Sequence, residues 1–430
     1  MTVGGSFLAK TLSSLWGRGR ALPLLDYPIA SSEHFFADSG VVLREDEPSS
    51  LIAFTLSSST YQHRLETLRA SHASETVVSA DAGDCTFSSE RWDTISVESR
   101  PPAFGLEAQL RRPEGTHLRF EFNSGGSRFH IRTLFTEQFD ALRRACGCEQ
   151  SFIQSLSRCV KWDSSGGKSG SAFLKTKDDR FVIKEFSRAE MEAFLSGATG
   201  YFQYMAGAIF GARPTTLAKI FGCFRISIRN TQTGKSIKLD CLVIENLFYG
   251  RQMHKIFDLK GSLRNRHIRE TGRADEVLLD ENLVEIASKS PLFVREHDKR
   301  LLRAALWNDS LWLERQNVMD YSLVVGLDKD RKELVVGIID FVRTYTWDKK
   351  AESWLKEASG LGGSKATPTV ITPGLYRQRF LTFLDSSFLL VPDAWFTPAD
   401  EAIPLHGSTS SSALYAAGGI ISGKDAPATS

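Results

Sequence analysis

Two aspartates, Asp320 and Asp340, stand at the ends of a stretch that can bring their carboxylates together. Between them, apolar runs at residues 321–327 and 333–339 flank a charged connection at residues 328–332. Apolar runs rich in β-branched residues around a short polar connection are typical of an antiparallel hairpin. The pattern therefore predicts that both carboxylates lie at the open end of one hairpin.

The register of this hairpin decides which residues face each other. A turn centred on Asp330 places Leu323 opposite Gly337 and Asp320 opposite Asp340. Directly opposed side chains lie about 5 Å apart, and two carboxylates at that distance repel each other. A divalent cation between or beside them would explain the arrangement. From these residues alone, two solvated acids at a strand end is the alternative.

Lys184 ends a short strand pattern that begins at Phe181. A lysine on the inward face of a strand needs a partner. In kinases such a lysine holds the α and β phosphates of ATP. A helical pattern follows at residues 189–204 and offers Glu190, and after it Glu192, as the partner. A solvated lysine on an edge strand is the alternative.

A glycine-rich turn precedes that strand, and it comprises Gly166, Gly167, Lys168, Ser169 and Gly170. Glycines allow backbone amides to approach an anion closely. The P-loop pattern fails because Trp162 occupies the position of its first glycine. Strand patterns at residues 172–175 and 179–185 instead indicate a glycine-rich hairpin of the kind that covers nucleotide phosphates. A flexible surface turn is the alternative.

An apolar strand pattern at residues 241–248 changes to polar residues at its end. This suits a hinge whose backbone binds an adenine, and the candidates are Glu245, Asn246 and Leu247. A buried core strand fits the same pattern.

A basic loop at residues 257–269 concentrates the cations Lys260, Arg264, Arg266, His267 and Arg269. Guanidinium groups bind phosphate through paired hydrogen bonds, so this density suits a polyanionic substrate. Nucleic acid is disfavoured because no aromatic residues alternate with the cations. A solvated basic face is the alternative, although Asp258 is placed to orient Lys260.

The composition is that of an ordinary globular protein, with 430 residues of which 42% are hydrophobic and 24% charged. No apolar run approaches the roughly 20 residues that span a bilayer. Six cysteines without C-x-x-C spacing indicate free thiols in a reducing compartment. We therefore expect a cytoplasmic protein whose membrane contact, if any, is peripheral.

Four regions follow from the changes in pattern along the chain. Residues 1–40 form a poorly patterned tail, and residues 41–117 form an upstream segment with a Ser/Thr-rich linker. Residues 118–396 alternate strand and helix patterns and are expected to form one catalytic unit. The Ser/Ala/Gly-rich residues 397–430 are expected to be disordered.

Six ordered motifs resemble those of the phosphatidylinositol phosphate kinases. They are residues 166–170, 182–184, 245–248, 258–262, 319–323 and 338–340. Further stretches at residues 245–251, 335–340 and 346–350 are similar to the phosphatidylinositol 3-phosphate 5-kinase (PIKfyve-like) branch. The resemblance covers about residues 41–396.

This resemblance implies an α+β, two-lobed fold with antiparallel sheets and flanking helices. It also implies ATP and Mg²⁺ as cofactors and transfer of the ATP γ-phosphate to the 5-hydroxyl of phosphatidylinositol 3-phosphate. By position, Asp320 corresponds to the catalytic aspartate, Asp340 to the magnesium ligand, and Lys184 to the ATP-phosphate lysine paired with Glu190. The residues implied for substrate binding are Lys260, Arg264 and Arg266.

The implied partner is a phosphoinositide in a membrane surface, with peripheral contact to endosomal or vacuolar membranes and with protein scaffolds as further candidates. The FYVE zinc finger and chaperonin-like domain of the large relatives have no counterpart in the sequence. A phosphatidylinositol 4-phosphate 5-kinase is one alternative, and the activation-loop-like residues 352–376 bear on that choice. A phosphoinositide-binding pseudokinase is another, whereas a protein kinase is disfavoured because its His-Arg-Asp, Asp-Phe-Gly and Ala-Pro-Glu motifs are missing.

Overall fold

The computed structural model describes residues 32–80, 103–162, 173–273, 276–342, 372–395 and 420–422. The predicted glycine-rich turn at residues 166–170 lies outside the described residues. So do most of the activation-loop-like segment and most of the two terminal tails.

The upstream segment packs against the first sheet of the protein. It contains strands β1 (Glu33–His34) and β2 (Leu43–Arg44) and helices α1 (Pro48–Ser57), α2 (Ser59–Ala80) and α3 (Ala103–Arg111). Its buried side chains, among them Phe54 and Tyr61, belong to the same hydrophobic core as the sheet. The folded unit that was predicted to begin at residue 118 therefore also contains this upstream segment.

The first sheet has seven strands in the order β3-β4-β8-β9-β7-β6-β5, and each pair is antiparallel. The strands are β3 (Leu118–Ser124), β4 (Ser127–Thr133), β5 (Cys159–Trp162), β6 (Phe173–Thr176), β7 (Phe181–Glu185), β8 (Ile220–Asn230) and β9 (Ser236–Glu245). The turn between β3 and β4 is tight because Gly125 and Gly126 adopt φ values of 57° and 84°. This hairpin opens the stretch of alternating strands and helices that was predicted from residue 118 onwards.

Helices α4 (Thr136–Ala145), α5 (Glu149–Leu156) and α6 (Arg188–Phe210) flank this sheet. The helical pattern predicted at residues 189–204 is confirmed by α6, which begins one residue earlier and ends six residues later. The long helix α6 begins with a capping box, in which the Ser187 hydroxyl accepts from the Glu190 amide and the Glu190 side chain accepts from the Ser187 amide.

The second sheet has five strands in the order β11-β10-β13-β14-β16. They are β10 (Lys255–Leu259), β11 (Val277–Leu278), β13 (Ser322–Asp328), β14 (Glu333–Ile339) and β16 (Ile420–Ser422). Around it lie α7 (Asp280–Lys289), α8 (Glu296–Arg315), α9 (Pro373–Ser387) and the parallel pair β12 (Leu292–Arg295) and β15 (Phe388–Val391). Two sheets with flanking helices give the predicted α+β architecture, and strand β16 falls in the segment expected to be disordered.

The hairpin of β13 and β14 exists, but its predicted register is wrong by one residue. Leu323 pairs with Ile338, and Gly337 pairs with Val324. Four residues, 329–332, connect the closing pair Asp328 and Glu333, so the turn is centred between residues 330 and 331. Its last residue, Lys332, has a left-handed φ of 53°. The even loop length shifts every pair and removes the direct opposition of Asp320 and Asp340.

The two sheets are joined beside the end of β14. The Ile338 amide donates to the Thr216 carbonyl at 2.7 Å, and the Ala218 amide donates to the Ile338 carbonyl at 2.9 Å. The buried carboxylate of Asp309 on α8 accepts from the Thr216 amide at 2.6 Å and its hydroxyl at 2.7 Å, and also from the Tyr204 hydroxyl. These contacts fix the segment before β8 against the strand that leads to Asp340.

Candidate active site

Lys184 on β7 contacts Asp340, which follows β14, so that the two sheets meet at one ion pair. The Lys184 ammonium donates to Asp340 Oδ1. Lys184 is only 6% exposed, and its ammonium lies 5.5 Å and 5.6 Å from the ring centres of Phe173 and Phe186. The buried lysine therefore has the partner that its inward position demanded, supplemented by two cation–π contacts.

Asp320 lies near a second lysine. The Lys260 ammonium donates to the main-chain oxygen of Asp320 at 2.6 Å. Asp320 and Asp340 have φ values of 63° and 61°, in the left-handed region that aspartate tolerates better than most residues. Both aspartates lie just outside the strand ends, where the backbone turns away from the ladder. The predicted catalytic aspartate, Asp320, and the predicted metal ligand, Asp340, are thus each in contact with one of the two predicted lysines.

The Asp340 carboxylate is suited to a hard divalent cation. Its side chain is 41% exposed, and only Oδ1 has a hydrogen-bond partner among the described residues. Carboxylate oxygens are the ligands that Mg²⁺ prefers, and it keeps several waters around a few such ligands. A half-exposed carboxylate with a free oxygen fits that requirement.

The predicted pair between Lys184 and Glu190 is wrong for this structure, in which Lys184 contacts Asp340 instead. Glu190 Oε2 accepts from the Ser187 amide at 3.0 Å and from the Ser187 hydroxyl at 2.9 Å. The second candidate, Glu192, pairs with Arg225 at 2.5 Å. The start of α6 uses its first glutamate as a cap, because that satisfies free amides at the helix N-terminus.

The predicted hinge residues lie at the end of β9. The Glu245 carboxylate pairs with the buried Lys219 ammonium at 3.3 Å and accepts from the Lys219 amide at 2.7 Å. Burial alone would lower the pKa of Lys219, but the Glu245 carboxylate, together with the nearby Cys146 and Cys148, raises it. The Glu245 side chain therefore braces the hinge rather than facing a ligand.

Asn246 and Leu247 continue the hinge. The Asn246 side-chain amide donates to the Asp179 carbonyl at 2.6 Å. Leu247 lies over β14, since a Cβ built on Gly337 would come within 2.5 Å of its Cδ1. Among the described residues, the main-chain amide and carbonyl of Leu247 have no hydrogen-bond partner. These are the backbone groups that an adenine would need.

The predicted substrate cations have different surroundings. Arg264 is exposed and has no ion-pair partner in the described part of the chain. Arg266 is held by Asp280 at 2.8 Å and by Asp258 at 2.6 Å. Although burial would lower the pKa of Arg266, these two carboxylates raise it. Arg266 therefore anchors the basic loop, whereas Lys260 and Arg264 remain available to an anion.

Two buried aspartates with structural roles were not predicted from the sequence. Asp280 organises the loop that carries Lys260, and Asp309 holds the junction beside β14. Asp280 begins a helix and Asp309 lies inside one, and both positions suit ordinary solvated aspartates. Only a prediction of which loop each helix contacts would have identified them.

No helix among the described residues is long and apolar enough to cross a membrane. The family profile described as Phosphatidylinositol-4-phosphate 5-Kinase matches residues 155–334 and 328–387 of the chain. The matched residues include Lys184, Lys260, Asp320 and Asp340.

Three curated relatives are similar over much of the chain. The 1-phosphatidylinositol 3-phosphate 5-kinase FAB1 of Saccharomyces cerevisiae is 45% identical over 91% of this chain and 20% of its own length. The 1-phosphatidylinositol 3-phosphate 5-kinase of Homo sapiens is 44% identical over 71% of this chain and 15% of its own. The 1-phosphatidylinositol-3-phosphate 5-kinase FAB1B of Arabidopsis thaliana is 40% identical over 84% of this chain and 21% of its own length. The chain thus matches between 15% and 21% of the length of these three relatives.

Proposed function

The chain belongs to the phosphatidylinositol phosphate kinase family, and we propose that it transfers the γ-phosphate of ATP to the 5-hydroxyl of phosphatidylinositol 3-phosphate. One observation carries the proposal. Lys184 of the first sheet contacts Asp340 of the second, and Lys260 contacts Asp320 beside it. Two lysines and two aspartates between two sheets are the charged groups that phosphoryl transfer requires.

Each of these groups has a separate task in the proposed reaction. The Lys184 ammonium neutralises the α and β phosphates and leaves Asp340 when they bind. The exposed Asp320 carboxylate orients the inositol hydroxyl and accepts its proton. The Lys260 ammonium, already beside Asp320, faces the phosphate that is transferred. Mg²⁺ held by Asp340 would supply further charge neutralisation at the phosphates.

Binding of the two substrates uses opposite sides of the site. The free backbone groups of Leu247 at the end of β9 suit the adenine, and the glycine-rich residues 166–170 are proposed to cover the phosphates. The exposed Arg264 suits the phosphate already present on the inositol ring. Because the proposed substrate is a lipid, we propose that the enzyme works at a membrane surface, in peripheral contact with endosomal or vacuolar membranes.

Radiolabelled ATP and vesicles containing single phosphoinositides test the proposal, with the phosphate positions of the product resolved. The wild type is expected to make phosphatidylinositol 3,5-bisphosphate. The rate of Asp340→Ala is expected to be at least about 100-fold lower. Asp330→Ala, an exposed acid in the turn of the same hairpin, is the matched control and should keep the rate. A wild type without lipid product, or an Asp340→Ala variant with full activity, refutes the proposal.

A second candidate is a 5-kinase for phosphatidylinositol 4-phosphate. It is favoured by the description of the matching family profile, which names that lipid. The same vesicle panel separates the two, because the 4-phosphate substrate yields a 4,5-bisphosphate product. Nucleotide binding with no product from any lipid would instead support a pseudokinase.

A further inference from the structure

Asp280, the first residue of α7, is completely buried below the basic loop. Its Oδ1 accepts hydrogen bonds from three consecutive backbone amides, those of Lys260 at 3.0 Å, Gly261 at 2.7 Å and Ser262 at 3.3 Å. Consecutive amides that converge in this way form an anion-binding concavity. Here an internal carboxylate fills that concavity and fixes the backbone on which Lys260 is carried.

The other oxygen of the same carboxylate fixes the far side of the loop. Asp280 Oδ2 accepts from Arg266 Nε at 2.8 Å, and Arg266 Nη2 donates to Asp258 Oδ1 at 2.6 Å. Both oxygens of this buried carboxylate therefore have hydrogen-bond donors, one of which is the charged Arg266 guanidinium. The loop is therefore held at both ends by one side chain.

A third contact seats the loop on a neighbouring helix. Gly261 has a φ of 70°, and a Cβ at this position would come within 2.8 Å of Phe380 Cα on α9. The loop thus packs against α9 at Gly261 and is hydrogen-bonded to the Asp280 carboxylate. Lys260 projects from this frame and reaches the Asp320 main-chain oxygen.

We propose that Asp280 is a positioning residue, which holds the Lys260 ammonium at Asp320 before any substrate binds. The inference rests on the proposed phosphoryl transfer, since Lys260 is the group that it would place. Preorganised charge is effective in catalysis because no reorganisation is needed during the reaction. Asp280 itself is buried behind the loop and does not touch the substrate.

Two substitutions separate the contact of Asp280 with Arg266 from its contacts with the three loop amides. Asp280→Asn keeps an oxygen for the three amides but turns an N–H donor towards Arg266 Nε. Asp280→Ala removes every acceptor. We expect kcat to fall about tenfold in the Asn variant and about 100-fold in the Ala variant, because small misplacements of a catalytic group have such effects. The KM for ATP should change by less than about twofold, since Lys184 and the hinge belong to the other sheet.

Glu285→Gln is the matched control, because Glu285 is an exposed acid on the same helix. It is expected to keep the wild-type kcat. Melting temperature and nucleotide affinity are measured for every variant to establish folding. If Asp280→Ala does not fold, the positioning role of Asp280 is tested with the Asn variant alone.

A second measurement distinguishes positioning from a general structural role. Reductive methylation of the intact protein, followed by mass spectrometry, gives the reaction rate of each lysine. The rate at Lys260 relative to exposed Lys289 on α7 is expected to rise several-fold in both Asp280 variants and to stay unchanged in Glu285→Gln. This readout needs neither ATP nor lipid.

The outcomes separate this inference from the proposed function. A wild type without lipid product refutes the function, whereas the labelling result still reports on the position of Lys260. An active wild type whose folded Asp280 variants keep kcat overturns the inference. A loss of kcat without a change in Lys260 labelling overturns it as well, because the effect would then not pass through Lys260.

Discussion

Lys184 shows how much a single residue type and position can reveal. A lysine on an inward strand face requires an anionic partner, and that reasoning correctly singled out Lys184 but placed its partner on the wrong element. The structure pairs Lys184 with Asp340, 156 residues away, while Glu190 caps its own helix. Local spacing identifies groups that need partners, but the partner across two sheets depends on packing that spacing does not contain.

Lys184→Met is expected to lower kcat by about 100-fold or more and to weaken nucleotide binding. Methionine keeps the length of the buried side chain but cannot neutralise phosphate charge. The lipid kinase assay and a nucleotide titration measure the two effects. Lys177→Met serves as the control, because Lys177 is an exposed lysine in the turn between β6 and β7. Wild-type nucleotide affinity in Lys184→Met would contradict the assigned role.

At the scale of elements, periodicity located the strands and helices, and loop geometry determined the errors. The β13–β14 hairpin was predicted with nearly correct ends, yet its register shifted because the loop has four residues and not an odd number. The contact between the basic loop and α9 joins residues more than 100 positions apart, so no local pattern indicates it.

That contact can be tested at Gly261. Gly261→Ala adds a left-handed non-glycine residue and also a clash with the α9 backbone. Gly234→Ala provides the control, because Gly234 has a φ of 69° with nothing within 4 Å of a Cβ. Both variants should lose about 1–2 kcal/mol of unfolding free energy from the backbone. Gly261→Ala should lose about 1–3 kcal/mol more from the clash, as measured by urea unfolding.

Equal stability losses in the two glycine variants would show that the loop does not rest on α9. A large loss of kcat is expected only in Gly261→Ala, because the loop carries Lys260.

At the scale of the whole molecule, the upstream segment is a structural part of the unit built on the first sheet. Glu45, next to β2, accepts hydrogen bonds from Ser127 and from Asn230 and pairs with His34. Burial alone would raise the pKa of the Glu45 carboxyl, but these hydrogen bonds lower it below the ordinary value of 4.5. The carboxylate thus connects the upstream segment to the paired ends of the neighbouring strands β4 and β8.

Glu45→Gln is expected to cost about 2 kcal/mol of unfolding free energy at neutral pH. A carboxyl whose pKa is lowered on folding stabilises the protein above its unfolded pKa, and this contribution disappears as the pH falls through the folded pKa. The difference between wild type and variant should therefore shrink below about pH 4.5. Glu66→Gln, an exposed acid on α2, should match the wild type throughout. A difference that is independent of pH would contradict this assignment.

The left-handed backbone of Asp320 and Asp340 has a consequence for how substitutions are tolerated. Selection for cellular abundance alone should favour glycine or asparagine at Asp320, because these residues accept positive φ most easily. At Asp340 it should favour asparagine, which also keeps an oxygen for the buried Lys184 ammonium. Selection for lipid phosphorylation should retain aspartate. At most positions of an enzyme the two selections reject similar substitutions, whereas at these two sites a folded but inactive protein is easily reached by a change of one side-chain atom.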